Sequence, residues 1–292
     1  MSEKQQLGRT AMGVALSRAA HTLYAEPPMY RDEWAIRLLD EDVRAMLEDR
    51  ARYETEFLPG SRAFASISAA SFACARYTEE QVEEALSRGI AQKLVLGAGL
   101  DSFGLRRQDL GDRLRVFELD HPNTQAIKRE RILAEIPALP TSLELVPIDF
   151  EVTSLAAALA KSSYDTAKQS FASWLGTVPY LTPEAFYATL SHLSELLAPG
   201  SELTFNYATP TADLSPEDRE MIAALRENVK QQGEPWQSSF VPEELHAGLE
   251  ERGFDLVAEF TMADLGERYF TGRSDGLWPT ATAGRLAHVR RR

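Results

Sequence analysis

Apolar residues recur at helical spacing through Ala11–Leu23, Trp34–Leu47 and Val82–Leu86, so residues 11–90 are predicted to be largely helical. Pro27-Pro28 separates the first helix from the second, and Pro59-Gly60 marks a further turn. The texture changes at Lys93. Leu94-Val95-Leu96 is a short apolar run stopped by Gly97-Ala98-Gly99, and similar runs follow at Leu114–Leu119, Leu143–Ile148, Phe171–Val178 and Leu203–Tyr207. Helical patterns lie between several of them, at Thr124–Ile136, Leu155–Ala160 and Pro183–Leu197, the last stopped by Pro199-Gly200. Strands alternating with helices predict an α/β fold, with a mostly parallel, doubly wound sheet covered on both faces. Beyond Tyr207, Pro216–Gln232 and Pro242–Arg252 read as helices, and Phe254–Phe260 and Leu286–Val289 as two last strands. The segment between those strands is rich in turn residues. One domain over 1–292 is expected: a helical N-terminal extension (1–90), a core (91–207), and an insertion after the fifth strand leading to C-terminal strands (208–292).

Composition narrows the function. A formal charge of −13 argues against a nucleic-acid binder, whose affinity rests on basic surface. The basic run Arg290-Arg291-Arg292 is expected to be a solvated tail. The one cysteine, Cys74, leaves no internal disulfide, and the histidines at 21, 121, 192, 246 and 288 have no metal-binding spacing, so no metal is expected. No run reaches the roughly 20 apolar residues of a membrane helix, and Met1 to Thr10 is polar, so no membrane association and a cytoplasmic location are expected. The sequence leaves the oligomeric state open.

The chemistry concentrates at the ends of the predicted strands. Glycines after a buried strand let backbone approach a ligand, and in open α/β sheets ligands bind beyond the carboxyl ends of strands. Val116-Phe117-Glu118-Leu119-Asp120 ends in two acids about 20 residues past Gly99, where a ribose diol is gripped in dinucleotide-binding folds. Glu118 and Asp120 share one side of the strand. One of them is expected only to cap the next helix; Asp120, nearer the strand end, is the favoured ribose ligand. Asp149, after Val146-Pro147-Ile148, is placed either to accept from an adenine amino group, with Phe150 on the ring, or to make a strand-end turn.

Taken together, these stretches resemble the leucine carboxyl methyltransferase family, in particular its bacterial branch of S-adenosylmethionine-dependent methyltransferases. The most specific are Leu96-Gly97-Ala98-Gly99-Leu100-Asp101-Ser102-Phe103, Phe117-Glu118-Leu119-Asp120-His121-Pro122, Val146-Pro147-Ile148-Asp149-Phe150, Trp174-Leu175-Gly176-Thr177-Val178-Pro179-Tyr180-Leu181 and Gly233-Glu234-Pro235-Trp236. The resemblance implies a class I, Rossmann-like methyltransferase fold and S-adenosylmethionine as cofactor. It implies that Gly97 and Gly99 line the methionine and ribose portion, that Asp120 binds the ribose, and that Asp149 and Phe150 hold the adenine. Arg76 matches a family arginine that pairs with the cofactor carboxylate, although Cys74 replaces a second arginine often found beside it. Arg18 falls where the family often keeps a basic residue near the same pocket; a surface helix charge is the other reading of it. Tyr180 keeps a place near the reacting methyl, as a candidate catalytic residue, with core packing as its alternative. Leu175-Gly176 stands where distant members carry Glu-Gly, so any role of that glutamate does not transfer.

The expected activity is O-methylation of a carboxylate or hydroxyl of a small molecule. No general base is identifiable. His121 lies beside the ribose acids or caps a helix, and His192 faces an unknown side. Trp236, Phe240, Tyr269 and Phe270 are candidates to wall the acceptor pocket or to be core, and Arg273 to pair with an acidic acceptor. Two rivals remain: an NAD(P)-dependent oxidoreductase, although Ser102 and Phe103 stand where a third glycine would be, and a non-catalytic cofactor-binding protein.

Overall fold

The computed structural model describes residues 8–29, 31–53, 62–150, 152–212, 214–231, 233–279 and 283–292; the Pro59-Gly60 turn lies outside them. Among these residues the helices α1 (Arg9–Tyr24), α2 (Glu33–Arg37), α3 (Glu41–Glu48), the single turn α4 (Arg50–Arg52) and the long α5 (Arg62–Ser87) come first. Then follow β1 (Gln92–Leu96), α6 (Phe103–Arg106), β2 (Arg115–Asp120), α7 (Pro122–Glu135), β3 (Leu143–Pro147), α8 (Leu155–Leu159), β4 (Phe171–Trp174), α9 (Pro183–Leu196) and β5 (Glu202–Ala208). The chain ends with α10 (Pro216–Gln231), α11 (Pro242–Glu251), β6 (Phe254–Thr261), α12 (Met262–Phe270) and β7 (Gly284–Arg291).

The strands form a seven-stranded sheet in the order β3-β2-β1-β4-β5-β7-β6. The first five are parallel, and β7 runs antiparallel to both β5 and β6. Strand order reverses between β1 and β4, which opens a crevice at their carboxyl ends. Alternation assigns the faces. Leu94, Leu96, Phe117, Leu119 and Trp174 pack with Leu155, Phe186, Leu190 and Leu245, under α8, α9 and α11. Val95, Val116 and Phe171 face Leu16, Leu38 and Phe103, under the N-terminal helices. A smaller core joins Ala69, Ala73 and Tyr77 of α5 to Leu265 and Phe270 of α12.

Two expectations change. The apolar run from Phe171 to Val178 is strand only to Trp174; Val178–Tyr180 is a 3-10 turn begun by Thr177. The C-terminal arginines are no loose tail. Arg290 and Arg291 belong to β7, where Arg290 reaches the buried Glu202 at 2.9 Å and the Arg291 Nε donates to the Ser194 carbonyl at 2.8 Å. Arg290 and Glu202 are cross-strand partners on β7 and β5, so this ion pair ties β7 into the sheet.

Candidate functional site

The crevice is built first from backbone. Gly97 and Gly99 both have positive φ, +65° and +49°, which side chains disfavour. A Cβ at Gly97 would stand 2.5 Å from the Thr177 Oγ1, and one at Gly99 would stand 3.3 Å from the Ala11 Cβ. Gly97 and Ala98 donate their N–H groups to the Leu119 carbonyl at 2.9 and 3.1 Å, which folds the loop across the end of β2. The Gly99 N–H then donates to the Asp120 Oδ2 at 2.6 Å, and the His121 N–H to its Oδ1 at 2.7 Å. Asp120 is therefore fastened beneath the glycine loop, partly exposed, with two of a carboxylate's roughly four acceptor positions engaged by backbone. The Asp120 carbonyl accepts from Ile148 at 2.9 Å, which sets Asp149 and Phe150 at the neighbouring strand end. Asp149 turns the chain through its carbonyl, which accepts from Val152 and Thr153, while its side chain stays partly exposed. Phe150 is 44% exposed and lines a shallow cleft of about 180 Å³ with Val152, Thr189 and His192.

Glu118, two residues before Asp120, is in a different environment. It is fully buried and ion-paired with the equally buried Lys128 of α7. Burial pushes its carboxyl up to about 7, against the pull of Lys128. Neither acid caps α7: that position is taken by His121, whose Nδ1 accepts from Asn123 at 3.2 Å.

Arg18 is 8% exposed, so it is no surface charge. Its guanidinium donates to the Leu100 carbonyl at 2.5 Å and lies 3.6 Å from Asp32 and 3.9 Å from Asp101. Burial alone would raise the Asp101 carboxyl, but Arg18, Lys128, Lys93 and the Phe103 N–H together hold it below the usual carboxylate range. Asp32 also accepts from Ser102 at 2.6 Å, so α2 and the loop after Gly99 share one buried polar anchor. Lys93, on the same sheet face, donates to Ser173 at 2.9 Å; burial lowers it to about 8.

Arg76 stands elsewhere. Its Nε lies 2.9 Å from Glu80, one turn along α5, and Arg268 and the Tyr269 hydroxyl converge on the same carboxylate at 3.0 and 2.7 Å. No described contact joins Arg76 to the glycine loop. Tyr180 does come to the loop's neighbourhood: its hydroxyl donates to the Thr10 Oγ1 at 3.5 Å, beside Ala11 above Gly99. Of the expected pocket aromatics, Phe240 and Phe270 are core, at 6% and 2% exposure. Tyr269 is bound to Glu80, and Trp236 is half-buried under Arg226. Arg273 is occupied by Asp275 and the Pro27 carbonyl. No group of three or more metal-binding side chains occurs among the described residues, and no described helix is long and apolar enough to cross a membrane.

What the sequence did not disclose is a cover over the loop. The start of α1 and the segment after α10 meet there. The Thr10 N–H donates to the Glu234 Oε2 at 3.1 Å, and the Thr10 hydroxyl donates to the same oxygen. Gln237 donates to the Pro179 carbonyl through its backbone, at 2.7 Å, and to the Tyr180 carbonyl through its side chain, at 2.5 Å. These partners lie 57 to 224 residues apart, and only the Gly233-Glu234-Pro235-Trp236 stretch hinted at them.

The sequence profile described as leucine carboxyl methyltransferase matches residues 11–194. The chain is 28% identical to a Bacillus subtilis (strain 168) protein named "Putative S-adenosyl-L-methionine-dependent methyltransferase YktD", over 94% of this chain and 95% of that one. It is 31% identical to a "Putative S-adenosyl-L-methionine-dependent methyltransferase" of Mycobacterium bovis (strain BCG / Pasteur 1173P2), over 75% of this chain and 68% of that one. In fold it is similar to a methyltransferase structure from Thermobifida fusca YX, also titled putative, with a TM-score of 0.59, 20% identity, and coverage of 99% and 97%. A DUF574 family protein from Streptomyces avermitilis MA-4680 gives a TM-score of 0.63 at 15% identity, covering 99% of each chain.

Proposed function

The chain belongs to the leucine carboxyl methyltransferase family and is an S-adenosylmethionine-dependent methyltransferase, and from that premise we propose that it methylates an oxygen, a carboxylate or hydroxyl, of a small molecule. The residues suit the cofactor. A loop that only glycines can form passes over Asp120, whose remaining acceptor positions fit a ribose diol, and Asp149 with the exposed Phe150 fits an adenine beside it. Glu118 does not share that role in our reading, because its carboxylate is committed to Lys128. When bound, the cofactor supplies a methyl group on a sulfonium, whose leaving group is neutral.

The protein's task is then to align the acceptor and exclude water. The start of α1 and the 233–238 segment cover the loop and suit the second task. The observation that carries an oxygen acceptor is the Tyr180 hydroxyl: its bond to the Thr10 Oγ1, next to the Ala11 that touches Gly99, is long at 3.5 Å, so it can turn as a neutral donor to an acceptor oxygen while the Thr10 hydroxyl stays with Glu234. A carboxylate acceptor needs no base at neutral pH, which agrees with the absence of a lysine or histidine from the described contacts of Tyr180. We assign Arg76 to the cofactor carboxylate; turning to it would mean leaving Glu80, which a half-exposed i,i+4 pair opposes by only about 0.3–0.5 kcal/mol.

The test is methyl transfer from labelled S-adenosylmethionine to a panel of small carboxylic acids, phenols, alcohols and amines. Label should appear on oxygen, released as methanol by mild base if an ester and retained if an ether. Label on nitrogen, or only on polypeptide, would refute the assignment. Turnover of any kind separates an enzyme from a non-catalytic cofactor binder.

A further inference from the structure

Glu234 has no chemical role in the account above, yet it is a charged side chain of the cover. It is partly buried, and its Oε2 accepts both the N–H and the hydroxyl of Thr10. Its Oε1 accepts nothing among the described residues, and the Gly8 backbone comes so near that a Cβ there would stand 2.9 Å from that oxygen. No lysine, arginine or histidine among the described residues pairs with the carboxylate. One residue further along α1, Ala11 touches Gly99, and Tyr180 reaches Thr10 from the other side. Oε1 is not among the buried side-chain oxygens left without a partner, so it opens on solvent-accessible space, where an ionised carboxylate can take a cation. Here the side chain is held over the loop by two donors with one oxygen left over.

We propose that Glu234 is a binding residue for the positive charge on the methionine arm of the cofactor, its α-ammonium or its sulfonium, and so completes the site when α1 lies over the loop. This rests on the cofactor reading of the glycine loop. The competing role is purely local: Glu234 occupies the start of α1, where Gly8 offers no side-chain cap, and an acid there stabilises a helix N-terminus whether or not a ligand is present.

Three ligands separate these roles by calorimetry on the wild type and on Glu234→Gln, which keeps an acceptor oxygen for the Thr10 N–H. S-adenosylmethionine carries both cations, S-adenosylhomocysteine only the ammonium, and methylthioadenosine neither. We expect the variant to lose about tenfold or more in affinity for cation-bearing ligands, the scale of a hydrogen bond to a charged group, and to bind methylthioadenosine as the wild type does. Loss for the first two ligands identifies the ammonium; loss for S-adenosylmethionine alone identifies the sulfonium. Equal loss for all three would mean that Glu234 merely holds α1 in place, and no loss would mean that the cation lies elsewhere; either overturns the proposal. A wild type that binds none of the three would instead refute the cofactor reading itself. Thermal melts without ligand, unchanged between the two proteins, establish that the variant is folded.

Discussion

Two acids stand two residues apart at the end of β2, and their surroundings set them to different work. Asp120 is partly exposed and held by the N–H groups of Gly99 and His121, while Glu118 is wholly buried against Lys128. Spacing alone put both on one side of the strand at the right distance from the glycines. What it could not tell was that α7 would send a lysine beneath the sheet to meet one of them. Asp120→Ala should therefore weaken S-adenosylhomocysteine by about 1.5–3 kcal/mol in calorimetry and leave the fold intact. Glu118→Ala should instead lower stability by about 3–5 kcal/mol in denaturant titrations, since it strands the Lys128 charge inside the protein. The pH dependence has a definite sign. Burial raises Glu118 from an ordinary 4.5 to about 7 in the folded protein, so its contribution is fully present below pH 4.5 and is lost as pH rises through 7. Glu118→Gln should flatten that part of the stability profile. A profile unchanged by the substitution would show that the pair does not titrate there.

Among the elements, α12 departs furthest from what the sequence suggested, and α5, helical as expected, is where it docks. The segment between the last two strands is rich in turn residues, yet Met262–Phe270 is a helix. Its signal is short but present: Thr261 accepts from Asp264, and Asp264 accepts in return from the N–H and hydroxyl of Thr261, a reciprocal cap. Gly266 hid the pattern. In a helix it costs backbone entropy, and it is tolerated because a Cβ there would stand 2.7 Å from the Trp278 ring. This helix packs on α5 and brings Arg268 and Tyr269 to Glu80, the partner of Arg76, which no local pattern reveals. Arg76→Ala should therefore cost little stability, within about 0.5 kcal/mol. If Arg76 turns to the cofactor carboxylate, the same variant should bind S-adenosylhomocysteine more weakly and methylthioadenosine unchanged. Equal binding of both ligands by variant and wild type would transfer the clamp to another cation, with the buried Arg18, already at Leu100 and Asp101, next to be tested.

At the scale of the whole molecule, the parallel sheet was legible because each strand is a short apolar run and each crossover a helix with its own stop. The five parallel strands, the glycine loop and the acids after β2 and β3 follow from local order along about half the chain. The cover was not legible, because Thr10 meets Glu234 and Tyr180 only after the sheet has brought three distant segments of the chain to one crevice. Such contacts depend on topology rather than on pattern, and they are few and polar, so the cover should be less stable than the sheet beneath it. Cofactor binding should change this unevenly. A ligand at about 100 times its Kd adds about 2.7 kcal/mol to the state that binds it. If that state requires α1 and the 233–238 segment to lie over Gly97–Gly99, hydrogen exchange should slow there as well as at the ends of β1, β2 and β3. The pairing of β6 with β7, at the far edge of the sheet from β1 and its loop, should change far less. Exchange slowed only at the strand ends, with the start of α1 and residues 233–238 as fast as without ligand, would mean that the cofactor binds beneath an open crevice and that the cover takes no part in holding it.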